Sequence, residues 1–269
     1  MSDLPFKIVI VGLLEVNCCL VQLPDSRKLY IIDPGGDWKL IEAESRSFDY
    51  DEAVILFTHA HVDHISAAGE IADALNIRRV YLDPADKFIY YSPSNTVGNF
   101  LPAAEDLPDT IWPLNDPRIQ VIPCPGHSPG GTSYYFPELA TVFSGDTLFY
   151  ESIGRSDLPG GDQDVLEFSV REKLFKLPDD TRVVPGHGPF TSIGYERKNN
   201  PFRIRKEKQS LRLIKGVGAS SVVVPCCATA RVREHQPRAI SSHAVCPVSL
   251  GHASFPPQSR GRTMTAAFF

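Results

Sequence analysis

The run Ala53-Val54-Ile55-Leu56-Phe57 is apolar at every position and passes without a break into Thr58-His59-Ala60-His61-Val62-Asp63-His64. Five consecutive apolar residues leave no polar face, as expected of a strand covered on both sides. Beyond the histidines, Ile65, Ala68, Ile71, Ala72 and Leu75 recur at three- and four-residue spacing, which predicts a helix over 64–76 packed on the sheet. The chain is therefore committed to a β-loop-α unit, and its loop holds three histidines and an aspartate.

Around this unit the sequence alternates short β-type runs with turns. Lys7 to Val11, Asn17 to Leu23 and Leu29 to Ile32 read as a meander ending in Asp33-Pro34-Gly35-Gly36. The proline-rich stretch 84–117 predicts loops and short helices over the sheet. Strands are expected again at Arg118 to Ile122, Thr132 to Phe136, Thr141 to Ser144 and Thr181 to Val184, with a helix near Asp162 to Leu177. The fold class is mixed α/β, with strands running into loops that carry polar chemistry.

Charge divides the chain near residue 205. Residues 1–205 hold 18 Lys and Arg against 30 Asp and Glu, a net −12, whereas 206–269 hold 9 against 2, a net +7. An acidic body argues against nucleic acid as a partner, which requires a basic footprint. From 206 onward neither helical nor strand period persists, so a folded domain is expected over 1–205 and a basic, low-order tail over 206–269. This tail is read as either a disordered extension or the product of an altered reading frame. No apolar run approaches the roughly 18 residues of a membrane span. The start, MSDLPFKIVIVG, lacks the features of a secretory signal, so a cytoplasmic protein with six free thiols is expected.

Ligand chemistry concentrates in the body. Random placement would yield HxHxDH in roughly 5 of 10,000 chains of this composition, so chance is a poor explanation. The five histidines of residues 1–205 are His59, His61, His64, His127 in Pro-Gly-His-Ser-Pro-Gly-Gly, and His187 in Pro-Gly-His-Gly-Pro. Each follows a predicted strand, as does Asp146 in Ser-Gly-Asp-Thr, so four strand ends deliver donors to one rim. Imidazole and carboxylate together suit borderline divalent metals. Seven donors suit two ions: His59, His61 and His127 on one, Asp63, His64 and His187 on another, and Asp146 between them. This arrangement leaves room for water, unlike a closed structural zinc site, and the cysteines lack the spacing of one. His235, His243 and His252 are expected to be solvated.

The motifs THAHVDH, PGHSPGG, SGDTLF and PGHGP resemble the motif series of the metallo-β-lactamase superfamily. Gly145 to Phe149, Ser152 to Asp162 and Gly194-Tyr-Glu-Arg-Lys-Asn-Asn-Pro-Phe202 further resemble the short, single-domain glyoxalase II-type hydrolases. The resemblance covers residues 5 to 203. It implies a four-layer αβ/βα sandwich with the metals at the sheet edge. It also implies an enzyme that cleaves S-(2-hydroxyacyl)glutathione by attack of a metal-bound hydroxide. Two divalent ions are implied, zinc first, with iron or manganese as alternatives.

Thioester cleavage suits this chemistry, because a thiol with a pKa near 8.5 leaves without a strong general acid. Asp63 is a ligand and also a candidate proton acceptor. Arg155 is the candidate for a substrate carboxylate, with Tyr150 and Arg203 behind it, and an ion pair with Asp157 is the competing role. The alternatives are a persulfide dioxygenase using one iron, and a truncated metal-binding member without activity. Pro185-Gly-His-Gly-Pro189 keeps the hydrolase pattern where the dioxygenase has Ala-His-Asp-Tyr.

Overall fold

The computed structural model describes residues 5–203. The basic segment 206–269, expected to be of low order, lies outside the described residues. The first sheet is built by β1 (Phe6–Val11), β2 (Val16–Gln22), β3 (Lys28–Ile32), β4 (Glu52–Leu56) and β5 (Val80–Tyr81), in that spatial order. The first three strands are antiparallel, the expected meander. The chain then crosses over through α1 (Trp38–Ser45) to make β4 parallel to β3, and through α2 (Val62–Ile65) and α3 (Ala68–Ala74) to make β5 parallel to β4.

The apolar run at β4 has the two-sided burial its sequence requires. Ala53, Ile55 and Phe57 pack with Ile41, Ile65 and Ile71 on the helical side. Val54 and Leu56 pack on the opposite face against residues of a second sheet. The single helix expected over 64–76 is instead two, because the chain between α2 and α3 is tied to the turn after β3. Ala67 N–H donates to Pro34 O at 3.0 Å, and Ser66 Oγ donates to Gly35 O.

Residues 84–117 form the predicted loops with a 3₁₀ turn, Pro84–Asp86, and a short helix, α4 (Lys87–Tyr90). The second sheet contains β6 (Gln120–Pro123), β7 (Thr132–Phe136) and β8 (Thr141–Gly145). After a small ribbon of β9 (Leu148–Phe149) and β10 (Ser152–Ile153) and the helix α5 (Gln163–Glu172), it is completed by β11 (Arg182–Pro185) and β12 (Thr191–Ser192), with α6 (Ile193–Asn199) last. Its order is β12-β11-β8-β7-β6. Asp162 caps α5 by accepting from Val165 N–H at 3.0 Å. The predicted helix to Leu177 stops at Glu172 and tightens into a 3₁₀ turn, Leu174–Lys176.

The two sheets meet through Phe6, Tyr30 and Leu56 on one side and Tyr134, Phe136 and Phe143 on the other. α5 and α6 cover the outer face of the second sheet through Leu166, Val170 and Ile193. The layers are thus α, β, β and α. The bonds that fix the sheets to each other at one edge include Asn17 N–H to Gly186 O at 2.8 Å, Asn17 Nδ2 to Pro185 O at 3.0 Å, Thr132 N–H to Thr58 O at 2.8 Å, and Tyr134 O–H to Phe57 O at 2.7 Å. The C-terminal ends of β4, β8 and β11 open at this edge.

Cys18, Cys19 and Cys124 are buried free thiols, and burial pushes Cys124 up to about 11. Among the described residues no helix is long and apolar enough to cross a membrane.

Candidate metal centre

At the joined edge the candidate donors form overlapping clusters, two of which hold the residues proposed from sequence, while a third sets Asp33 beside His59 and His64. His59, His61 and His127 converge in the first, and Asp63, His64 and His187 in the second. In the first, His127 Nε2 lies 2.9 Å from His61 Nδ1 and 3.2 Å from His59 Nε2. In the second, His187 Nε2 lies 3.2 Å from Asp63 Oδ2, and His64 Nε2 lies 3.7 Å from the same oxygen. Asp146 faces both groups. Its carboxylate oxygens stand 3.5 Å from His64 Nε2, 3.6 Å from His127 Nε2 and 3.7 Å from His187 Nε2.

The outer nitrogens of four rings are tied, which fixes what the inner nitrogens present. Thr58 Oγ1 donates its only proton to Asp33 Oδ2 at 2.6 Å, so the 3.1 Å contact with His59 Nδ1 requires that nitrogen to carry the hydrogen. His127 Nδ1 donates to Arg155 O at 2.7 Å, His64 Nδ1 to Asp33 Oδ2 at 2.9 Å, and His187 Nδ1 to Leu14 O at 2.9 Å. Each neutral ring then turns a bare Nε2 lone pair inward.

Two such lone pairs, on His59 and His127, meet at 3.2 Å with no proton between them. Nearby, His64 Nε2 and Asp146 Oδ1 are buried without a hydrogen-bond partner. Bare lone pairs in contact and buried polar atoms without a partner are costly unless a cation lies among them. The donor set therefore fits two borderline divalent ions, with Asp146 placed to touch both.

Ionisation follows the same division. Burial, together with the neighbouring rings of His64 and His127, holds His59 well below the usual imidazole range. Burial and His127 lower His61 to about 4. For His64 burial opposes the charged ring, but Asp63, Asp146 and Asp33 outweigh it and raise the pKa. For His187 burial is likewise outweighed, by the bond to Asp63 and the charge of Asp146. Burial works against ionising Asp63 and Asp146, yet the adjacent histidines leave both below the usual carboxylate range.

Asp33 is the polar group that the sequence presented only as a turn residue. It is 2% exposed and accepts from Thr58 N–H at 2.7 Å, from the Thr58 hydroxyl and from His64. Although it lies close to His59 and His64, its oxygens are spent on these bonds, and it acts as a buttress. A carboxylate at the C-terminal end of a parallel strand was the available signal.

The centre opens into a cleft of about 420 Å³, whose walls include Leu14, Phe88, Ile89, Asn95, Leu158 and Arg155. Arg155 is at the cleft, but its guanidinium is bidentate to Asp157 at 2.7 Å through both contacts, and the pair is 62% and 68% exposed. Tyr150 stacks on Tyr195 and Arg203 donates to Asn200 O, and neither belongs to the cleft walls. The Gly194–Phe202 motif is a support. Buried Glu196 accepts from Thr191, Glu151 and Asn200, and Asn200 Nδ2 also donates to Ser152 O.

The sequence profile of the metallo-beta-lactamase superfamily matches residues 11–187. Hydroxyacylglutathione hydrolase GloC of Haemophilus influenzae is 34% identical over 205 residues, spanning 73% of this chain and 96% of that protein. The solved structure of TTHA1623 in a di-iron-bound form is 39% identical with a TM-score of 0.66, over 73% of this chain and 99% of that one. That of the BLEG-1 B3 metallo-beta-lactamase is 35% identical with a TM-score of 0.65, over 74% and 99%. The profile spans the described donors from the first motif to His187, and the layers and motif series agree with it: this chain belongs to the metallo-β-lactamase superfamily and is a metallo-hydrolase of that superfamily.

Proposed function

We propose that the protein hydrolyses a glutathione-derived thioester of the S-(2-hydroxyacyl)glutathione type, with His59, His61 and His127 holding one divalent ion, Asp63, His64 and His187 a second, and Asp146 shared. The observation that carries the reading is the pair of donor groups joined by Asp146 at the floor of an open cleft. The likeness to hydroxyacylglutathione hydrolase GloC supports the glutathione thioester.

Two bound ions would acidify a water and polarise the thioester carbonyl. The chain's own groups do the rest. Asp63 lines the cleft and is ionised, so it is placed to accept a proton as well as to ligate. Apolar walls from Leu14, Phe88, Ile89 and Leu158 exclude water around the acyl group. The departing thiolate needs little protonation, given a thiol pKa of about 8.5. Among the described residues, Arg155 is the one Arg or Lys on the cleft wall. A glutathione carboxylate would engage it by displacing Asp157.

The test is metal analysis of the purified protein alongside parallel assays on S-lactoylglutathione and glutathione persulfide. Two metal equivalents with thioester turnover is the expected result. Zinc is the metal to try first, and the di-iron form of a relative makes iron the second. One iron with oxygen consumption on the persulfide overturns the reading, as does a His59→Ala variant with full activity.

A further inference from the structure

We infer that Asp86 is the positioning residue of the first donor group, setting the loop of His59 and His61 against the loop of His127. The inference rests on the ligand division proposed above.

Asp86 comes from the proline-rich segment and belongs to neither metal loop. It is fully buried, and no described cation forms an ion pair with it. Its carboxylate instead collects donors from both loops. Oδ2 accepts from Ala60 N–H at 3.0 Å and from the Ser128 hydroxyl at 2.8 Å, and Oδ1 accepts from Gly130 N–H at 2.5 Å. Ala60 is the residue between His59 and His61, while Ser128 follows His127 directly and Gly130 lies three residues after it.

The carbonyl of Ala60 is also held from this segment. Asn95 Nδ2 donates to Ala60 O at 2.8 Å, and Asn95 Oδ1 accepts from Val62 N–H at 3.1 Å. Both main-chain polar groups of Ala60 are thus occupied by side chains nine residues apart in segment 84–101. His61 benefits most. His59, His64, His127 and His187 are each tied through an outer nitrogen, whereas His61 Nδ1 is hydrogen-bonded to His127 itself. Its position depends on the main chain that Asp86 and Asn95 grip.

A carboxylate is the required group here. Three donors point at two oxygens, and an amide offers one oxygen and turns an NH₂ toward an N–H. Close packing leaves no slack, since a Cβ on Gly130 would lie 2.8 Å from Asp86 Cγ. Asp33 is the buttress of His64 in the second donor group and reaches His59 only through Thr58, and its hydrogen bonds share no donor with those of Asp86.

The consequence is selective. In full-length protein carrying His187→Ala, which leaves the first group intact, Asp86→Asn is expected to weaken zinc binding ~10- to 100-fold in chelator competition, the range for lost outer-sphere support. In full-length protein carrying His61→Ala, which leaves the second group, the same change is expected to alter zinc affinity less than about twofold. Ser128→Ala, which removes one of the three donors and keeps the buried charge, gives a smaller loss on the first group alone. Equal losses at both groups, a loss at the second alone, or no loss at either overturns the positioning role. Absence of zinc binding from both backgrounds before Asp86 is changed refutes the ligand division instead, and no substrate enters any of these measurements.

Discussion

Gly186 offers the sharpest steric test of the centre. A Cβ at this position would lie 2.3 Å from Asp146 Oδ1, 2.7 Å from His64 Cε1 and 3.3 Å from Gly145 C. Ordinary contacts of this kind are about 3.4 Å or more, so Gly186→Ala must displace the Asp146 carboxylate by roughly 1 Å. The main chain cannot retreat to make room. Gly186 N–H donates to Gly145 O at 2.9 Å, and its carbonyl accepts from Asn17 N–H at 2.8 Å. Nor does the added methyl strain the backbone itself, because Gly186 is outside the positive-φ region. Metal ligands tolerate distance errors of about 0.2 Å, so the displacement of Asp146 and His64 exceeds what the second ion accepts. The expected outcome is loss of one of two zinc equivalents and a fall in kcat/KM of ~100-fold, with a stability cost of only about 1–3 kcal/mol for overpacking. Chelator competition, thioester kinetics and thermal unfolding of the metal-free protein read these three quantities. A Gly186→Ala protein that binds two zinc ions within threefold of the parent affinity would refute the placement of Asp146 and His64 as ligands.

Acidity should separate the two donor groups. An ion needs a bare nitrogen, and a raised pKa means that the proton is retained to higher pH. The ion must therefore displace protons from His64 and His187, whereas His59 and His61, held low, are already neutral. As pH falls below those raised values, zinc affinity at the second group should drop about tenfold per proton per pH unit. Between pH 7.5 and 5.5 the second group should lose affinity before the first, and earlier loss of the first group would contradict this assignment. Arg155→Ala should raise KM for S-lactoylglutathione by up to ~5-fold with kcat preserved, and Asp157→Asn, which frees the guanidinium, should lower KM. Opposite signs would remove Arg155 from substrate recognition. Glu196→Ala removes the acceptor of Thr191, Glu151 N–H and Asn200 Nδ2 together, so thermal unfolding should report a loss of about 1–3 kcal/mol. Metal content per folded molecule should be unchanged, and a selective metal loss would mean that the Gly194–Phe202 motif does more than support.

The fold was legible where one physical requirement dominated. At Ala53–Phe57 two-sided burial excludes polar residues, and the sequence shows that exclusion directly. The meander of β1 to β3 was legible through its turns. The continuous helix expected over 64–76 was not observed, because its interruption depends on Pro34 and Gly35 reaching Ala67 and Ser66 across more than thirty residues. Apolar periodicity records which face of a segment is buried, and it carries no trace of a remote carbonyl that ends a helix. The same holds for α5, which stops at Glu172 although Leu174, Phe175 and Leu177 continue the apolar pattern.

The candidate centre divides in the same way, into what requires a particular side chain and what does not. Ligation needs imidazole or carboxylate, so His59, His61, Asp63, His64, His127, Asp146 and His187 stand out from their neighbours. Orientation of those ligands needs only an acceptor at the right place, and Leu14 and Arg155 supply it with backbone carbonyls that any residue would provide. Side-chain buttresses are hidden for a different reason. Asp33 sits in a Pro-Gly-Gly turn where aspartate is ordinary, and Asp86 sits at the end of a short 3₁₀ turn whose first residue is a proline, where it is ordinary as well. Their use follows from burial, since a carboxylate excluded from water must collect donors, and near this centre the free donors belong to the metal loops. A motif therefore records the ligands, while the precision with which they are held resides in groups that become visible only when the loops are seen together.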